Sequence, residues 1–522
     1  MRVTSLVTIL LASAVALGIA PTAVLAEQTA PIVQTPNGTI EGVAVNDAVV
    51  VYKGIKYALP PVGALRWRAA QPAAPFAGTF KADSFGPACI QKTKLTKEEL
   101  AAYGAQPDST AEDCLSLNIW APIKHDTPLP VMVWIHGGGF VAGASSLGYY
   151  DGTNFARDGV ILVSINYRLG LLGFFAHPAL DAAGGAEEVH GNYGLTDQLE
   201  ALRWVQRNIA AFGGDPSNVT VFGESAGGMS VLSLLAAPSS KGLFARAIIE
   251  SGLGWHKVRT LSEAEADGVK IATALGLSGA TATPDALRAT SPDALVAVTP
   301  SEGNGPLIDG QILCQPLTVA FSKGEIQQVP IMIGTNSNEG TLLRPPAATK
   351  LLADLPPAAV AGARAYYGAP AADDYALARR LFRDAVFTAP ARWIARHVGA
   401  SQPAYLYHFD YVASYFRSKS DGVAHGFEIP FVFDSWRHIP RASLILSGED
   451  KAETALVHSC WVSFAKAGQP SCAGGPSWPR YTATADALVD FTLPAPVVKT
   501  GFEKPMLDQL EAKQKATDPA VK

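Results

Sequence analysis

The run Val219-Thr-Val-Phe-Gly-Glu-Ser-Ala-Gly-Gly228 decides how this chain is read. Val219 to Phe222 reads as an apolar strand that breaks at Gly223-Glu224-Ser225-Ala226-Gly227, and an apolar helix is expected from Met229 to Ala237. A strand-to-helix turn this tight forces its middle residue into strained backbone angles, and the flanking glycines carry no Cβ to keep strand and helix apart. Ser225 is then held proud of a sheet edge at a helix N-terminus, where unpaired amides favour negative charge. A serine nucleophile for acyl transfer is presented in this way. The pattern Gly-x-Ser-x-Gly is weak evidence by itself in a chain with 48 glycines. The strand before it and the helix after it carry the weight.

Serine attack creates an oxyanion, which needs donors already in place. A second buried-strand run, Val131-Met-Val-Trp-Ile135, ends in His136-Gly137-Gly138-Gly139-Phe140, whose three glycines leave backbone amides bare. The expected donors are the amides of Gly138, Gly139 and Ala226; the plain alternative is a flexible glycine turn. The serine also needs a base, and the chain has ten histidines. His425 sits in Asp421-Gly-Val-Ala-His-Gly-Phe-Glu-Ile429, a glycine-flanked loop after the aromatic run Ala404-Tyr-Leu-Tyr-His-Phe-Asp410. Catalytic groups gather in such loops. His408 lies inside the strand and reads as structural, and His177, His190 and His458 lack a glycine hinge. Pattern alone favours His425 without reducing the ten to one. For the carboxylate that orients the base, Glu339 closes the strand-and-loop run Ile331-Met-Ile-Gly-Thr-Asn-Ser-Asn-Glu-Gly340. Asp309 competes, although Pro306-Leu-Ile-Asp-Gly310 reads as a turn. The order Ser225, Glu339, His425 matches nucleophile, acid and histidine in an α/β-hydrolase, the fold class expected here.

At 522 residues and 48% hydrophobic, the chain can bury a large core. Strands and helices run on without linker, repeat or low-complexity tract, so residues 27–522 read as one α/β domain with insertions. The formal charge is −5, and the absence of a long basic run argues against a nucleic-acid partner. Arg2, the apolar run Leu6 to Ala20 and Val24-Leu25-Ala26 form a signal peptide over residues 1–26. An uncleaved anchor is the alternative. A secreted or periplasmic location follows, and no later stretch has the length of a membrane span. Five cysteines fit that compartment. The spacing of Cys460 and Cys472 leaves their pairing open. Cys314 reads as a small buried apolar residue. No Cys/His spacing suggests a metal, no cofactor is called for, and the expected partner is a small-molecule ester.

The chain resembles the type-B carboxylesterases, which include the cholinesterases, from about Val33 to Phe491. The resemblance is carried by Gly54-Ile-Lys-Tyr-Ala-Leu-Pro-Pro-Val-Gly-Ala-Leu-Arg66, Glu112-Asp-Cys-Leu-Ser-Leu-Asn118, His136 to Phe140, Asn166-Tyr-Arg-Leu-Gly170, Gly191-Asn-Tyr-Gly-Leu-Thr-Asp-Gln198 and Gly213-Gly-Asp-Pro-Ser-Asn-Val219. It implies a serine esterase with Ser225 as nucleophile, Glu339 as acid, His425 as base and an oxyanion hole at Gly138, Gly139 and Ala226. It also implies a Cys89–Cys114 bridge, and places Glu224 and Ser251 just behind the triad. The departures bear on substrate. Cholinesterases carry a tryptophan between the two cysteines that holds a quaternary ammonium; residues 90–113 contain none, so a choline ester is not expected. Pro300-Ser-Glu-Gly-Asn-Gly305 lacks the aromatics that narrow the cholinesterase acyl pocket. Lys92, Lys94 and Lys97, with Arg344, read either as a cationic rim attracting anionic esters, such as tricarballylate diesters of the fumonisin type, or as a solvated helix start. A binding module that has lost catalysis, and an acyltransferase or amidase with the same parts, are the rival classes.

Overall fold

The strands of this protein are apolar on both faces. Val131, Val133 and Ile135 join one core and Met132 and Trp134 another, and the same alternation runs through Ala247, Ile248 and Ile249 and through Ile331, Met332 and Ile333. Continuous apolar strands of this kind need cover on both sides, as in parallel sheets flanked by helices. The computed structural model describes residues 31–92, 107–185, 188–300, 305–368, 373–439 and 442–521. Its main sheet has eleven strands: β1 (Val43–Ala44), β2 (Val49–Lys56), β3 (Ser116–Pro122), β4 (Leu129–Ile135), β5 (Ile161–Ile165), β6 (Gly214–Glu224), β7 (Arg246–Glu250), β8 (Ile331–Asn336), β9 (Ala404–Phe409), β10 (Ala487–Phe491) and β11 (Val497–Thr500). Their order is β11-β10-β9-β8-β7-β6-β4-β5-β3-β2-β1. From β5 to β10 all neighbours are parallel, and the outer pairs are antiparallel.

Helices α1 (Tyr193–Asn208), α2 (Ala226–Ala236) and α4 (Ala389–Gly399) cover one face. Helix α5 (Gly448–Ala467) covers the other through Val457, Trp461 and Phe464. Helix α3 (Asp374–Arg383) packs beside the loop after β8, and α6 (Lys504–Thr517) forms the charged C-terminal tail. That tail is tied to α4 by Arg392–Asp508 (2.7 Å) and Arg396–Glu511 ion pairs. This is the α/β-hydrolase arrangement.

Helix α2 begins at Ala226, three residues earlier than its apolar run suggests. Gly227 and Gly228 are buried in its first turn, and a Cβ on Gly227 would stand 2.0 Å from the Ile135 carbonyl oxygen. Cys89 is bonded to Cys114 and Cys460 to Cys472. Cys314, expected buried, is exposed. Asp309 Oδ1 accepts the amides of Gln311, Ile312 and Leu313 at 2.8–3.0 Å. That turn sends Ile312 and Leu313 into the core, leaving Cys314 on the outside. No helix of the described residues is long and apolar enough to cross a membrane.

Candidate active site

Parallel strands deliver their C-terminal ends to one edge of the sheet, and loops leaving that edge converge there. Strand β6 ends at Glu224 and turns at Ser225 into α2; β4 ends at Ile135 before the glycine loop; β8 leads into Ser337 to Glu339; β9 leads toward His425. Ser225 adopts φ 57°, ψ −119°, a region a side-chain-bearing residue rarely enters. Its amide donates to Glu250 O (2.9 Å) and its carbonyl accepts from the Met229 amide (2.8 Å), so both sides of the turn are pinned.

The glycine loop bends with φ +106° at Gly138 and +62° at Gly139. A Cβ on Gly138 would lie 2.2 Å from the Ala142 carbonyl oxygen. The loop closes by Val141 N→Gly138 O (3.1 Å) and Ala142 N→Gly138 O (3.0 Å), and among the described residues no backbone carbonyl takes the Gly138 or Gly139 amide. Ala226 is the first residue of α2, so its amide has no partner within the helix. His136, stacked on Tyr167 with ring centroids 4.6 Å apart, is held low at about 4 by burial, partly offset by its bond to Gly137 O, and is neutral. Its contacts support the loop.

Glu339 is fully buried. Its Oε1 accepts from Ser251 Oγ (2.6 Å) and the Asn336 amide (2.7 Å), and its Oε2 lies 2.5 Å from His425 Nδ1. The two loops are sewn together by Asn338 N→Val423 O (2.9 Å), Val423 N→Ser337 Oγ (2.8 Å) and His425 N→Thr341 Oγ1 (3.1 Å). Arg379 of α3 donates to Asn338 Oδ1 at 2.7 Å, and the Phe387 ring stands 5.4 Å from the imidazole. The other imidazole nitrogen, Nε2, is 3.1 Å from Glu224 Oε1. Burial alone would lower the His425 pKa; the carboxylates of Glu224 and Glu339 outweigh it and raise it to about 9. Burial raises Glu224 to about 7, against the pull of His425.

The structure thus brings Glu339, His425, Glu224 and Ser251 into contact, with Ser225 next to Glu224. The competitors stand elsewhere. Asp309 caps a turn, His408 is buried against Asp490 (2.8 Å), His177 caps a short helix, His190 pairs with Asp181 (3.0 Å), and His458 bonds Val432 O (2.7 Å). Two buried acids at the site, Glu250 and Glu428, were not singled out from sequence. The signal available was a charge at the end of the apolar strand Ala247-Ile-Ile-Glu250, and a glutamate three residues after His425.

A cleft of about 330 Å³ opens beside the glycine loop, lined by Gln91, Lys92, Val141, Leu172, Leu295 and Thr299 among others. Lys92 and Arg344 are exposed; Lys94 and Lys97 lie outside the described residues.

Comparison with known proteins identifies the family. The carboxylesterase family model matches residues 29–353 and 367–509. A fumonisin B1 esterase of Sphingopyxis macrogoltabida is 36% identical over 474 residues, covering 86% of this chain and 84% of that protein. A para-nitrobenzyl esterase of Bacillus subtilis (strain 168) is 36% identical over 475 residues, covering 87% and 93%. A solved structure of a PNB esterase superposes with a TM-score of 0.80 at 32% identity, covering 92% of this chain and 99% of that one. With the family model matching most of its length and relatives of this identity covered almost throughout, the chain belongs to the carboxylesterase family and is a carboxylic ester hydrolase.

Proposed function

We propose that Ser225, His425 and Glu339 perform the hydrolysis as nucleophile, base and acid. The observation that carries this reading is the 2.5 Å contact of Glu339 with His425 Nδ1, beside a serine held at positive φ. Ser225 Oγ attacks the ester carbonyl as Nε2 of His425 takes its proton. Glu339 keeps Nδ1 protonated, so that Nε2 is the basic nitrogen, and stabilises the imidazolium. The carbonyl oxygen, now negative, sits among the amides of Gly138, Gly139 and Ala226; one such donor is worth about 10²–10³ in rate. The imidazolium protonates the departing alcohol, and water deprotonated by His425 releases the acid. Glu224 faces Nε2 in the resting site and adds to the field that favours the imidazolium.

Ser225→Ala tests this assignment. Hydrolysis of a p-nitrophenyl ester falls to background while the melting temperature holds; retained turnover refutes it.

A second reading concerns substrate. Lys92 lines the cleft beside the glycine loop, which favours esters bearing carboxylates, and one relative is a fumonisin B1 esterase. A panel of neutral and polycarboxylate esters across ionic strength tests it. Salt weakens attraction to exposed charge, so kcat/KM falls with salt for the anionic set only; equal salt dependence refutes it.

The disulfides Cys89–Cys114 and Cys460–Cys472 support a secreted or periplasmic location, with residues 1–26 removed and residues 27–522 forming the mature domain. Amino-terminal sequencing of protein recovered from outside the cytoplasm finds Glu27 first; recovery in the cytoplasm with Met1 retained refutes it.

A further inference from the structure

Four glutamates with almost no solvent exposure cluster at the catalytic centre: Glu224, Glu250, Glu339 and Glu428. Among the described residues, no lysine or arginine lies within ion-pair distance of any of them, and His425 is the one cationic partner. Four buried negative charges against one positive charge are strongly unfavourable. Some of the four must carry protons.

Their hydrogen bonds sort them. Glu339 is the best satisfied of the four, accepting from Ser251, Asn336 and His425. Glu224 faces Nε2. Glu250 accepts one bond, from Trp461 Nε1 to Oε1 (2.8 Å), and its buried Oε2 has no partner. Glu428 accepts one bond, from Asn336 Nδ2 to Oε2, and its buried Oε1 has none.

Strand register explains why they meet. Glu224 on β6 stands opposite Glu250 on β7, Glu250 opposite Gly334 on β8, and Gly334 opposite Tyr407 on β9. In parallel strands, such a row shares one face. Gly334 has no side chain, and the Tyr407 ring leans into its place, 2.3 Å from where a Cβ would be. The phenol closes the far end of the row, buried and unpartnered. The groups facing Glu250 are therefore Glu224, Glu428, Tyr407 and Trp461, with Glu339 and His425 beyond Glu224 and Glu428. None of them supplies a fixed cation.

We propose that Glu250 and Glu428 form a proton-holding pair beneath the catalytic centre, neutral around neutral pH, so that their charges are withheld from His425 until the pH rises. Glu250 is a positioning residue, acting on the base through the charge it withholds. The argument rests on the reading of His425 as base and Glu339 as acid. Burial, then repulsion from Glu428, keeps Glu250 well above the ordinary carboxylate range, and burial with Glu224 and Glu339 pushes Glu428 to about 8. Ionisation of the pair as pH rises adds negative charge near the imidazole and strengthens its hold on a proton. The rise of kcat/KM with pH is then shallower than a one-proton titration.

Glu250→Gln keeps the shape and the bond from Trp461, and it cannot ionise. Three results are expected. Difference infrared spectroscopy of the wild type at about pH 7 shows a protonated-carboxyl stretching band, part of which disappears in the variant. The variant gains thermal stability relative to wild type as pH rises from about 4, because unfolded wild type releases a proton that the folded state retains. The rise of kcat/KM steepens toward one proton and its midpoint moves to lower pH. Trp461→Phe removes the donor to the ionised form and shifts the activity profile in the same direction. An infrared band unchanged in Glu250→Gln, or a stability difference that does not grow with pH, overturns the proposal. The infrared and stability results do not depend on the catalytic roles. If they hold while the activity profile stays fixed, the base assignment fails and the proton-holding pair stands.

Discussion

Glu339→Gln is the most informative single change. The carboxylate holds three donors, two on Oε1 (Ser251 Oγ and Asn336 N) and His425 Nδ1 on Oε2. An amide has one acceptor oxygen and one donor nitrogen. If the nitrogen faces Ser251 and Asn336, the buried Asn336 amide loses its acceptor, at a cost of about 1–3 kcal/mol. The side chain therefore keeps its oxygen there and turns NH₂ toward Nδ1. That nitrogen must then accept, the proton moves to Nε2, and the imidazole can no longer deprotonate Ser225. The wrong tautomer lowers kcat by about 10³–10⁴, or about 4–5 kcal/mol of transition-state stabilisation. The assay is kcat/KM on a p-nitrophenyl ester beside a melting curve. Loss of activity with fold intact is expected. Retention of more than about a tenth of wild-type activity contradicts the tautomer argument and moves the orienting role to Glu224 or Glu428.

Gly227→Ala puts a Cβ 2.0 Å from the Ile135 carbonyl oxygen, where ordinary contact begins at 3.4 Å. The end of β4 must then retreat by more than 1 Å, shifting the glycine loop from Ser225; a misplacement of that size costs about 10² in rate, with about 1–3 kcal/mol of overpacking visible in the melting curve. Unchanged kinetics contradict the close approach of elbow and loop. Glu224→Gln removes a negative neighbour that raises the His425 pKa. Less attraction for a proton means that the base is freed at lower pH, so the midpoint of the kcat/KM rise moves downward; a shift upward contradicts the contact at Nε2.

Local features were legible in the chain and cross-strand features were not. Ser225 and the glycine trio announce themselves because in each case the strand and the turn that ends it lie within a dozen residues of sequence. Glu339 and His425 stand out only as members of loops at strand ends, and the family resemblance is needed to pair them, since 86 residues separate them. Glu250 and Glu428 acquire meaning only through register: which strand lies beside β6, and that Gly334 leaves room for Tyr407. Residue type speaks for a buried Cys314, while the carboxylate of Asp309 fixes a turn that points it outward. Glycines weigh against helix and make α2 read as starting late, yet at Gly227 the need for space against Ile135 prevails.

The most direct measurement is covalent trapping. A fluorophosphonate reacts with a serine that its base has activated, and peptide mapping then locates the adduct. One phosphonyl group on the peptide carrying Ser225, formed in step with loss of ester hydrolysis and missing from Ser225→Ala, is the predicted result. An adduct on another residue, or full inactivation with Ser225 unmodified, contradicts the account at its root.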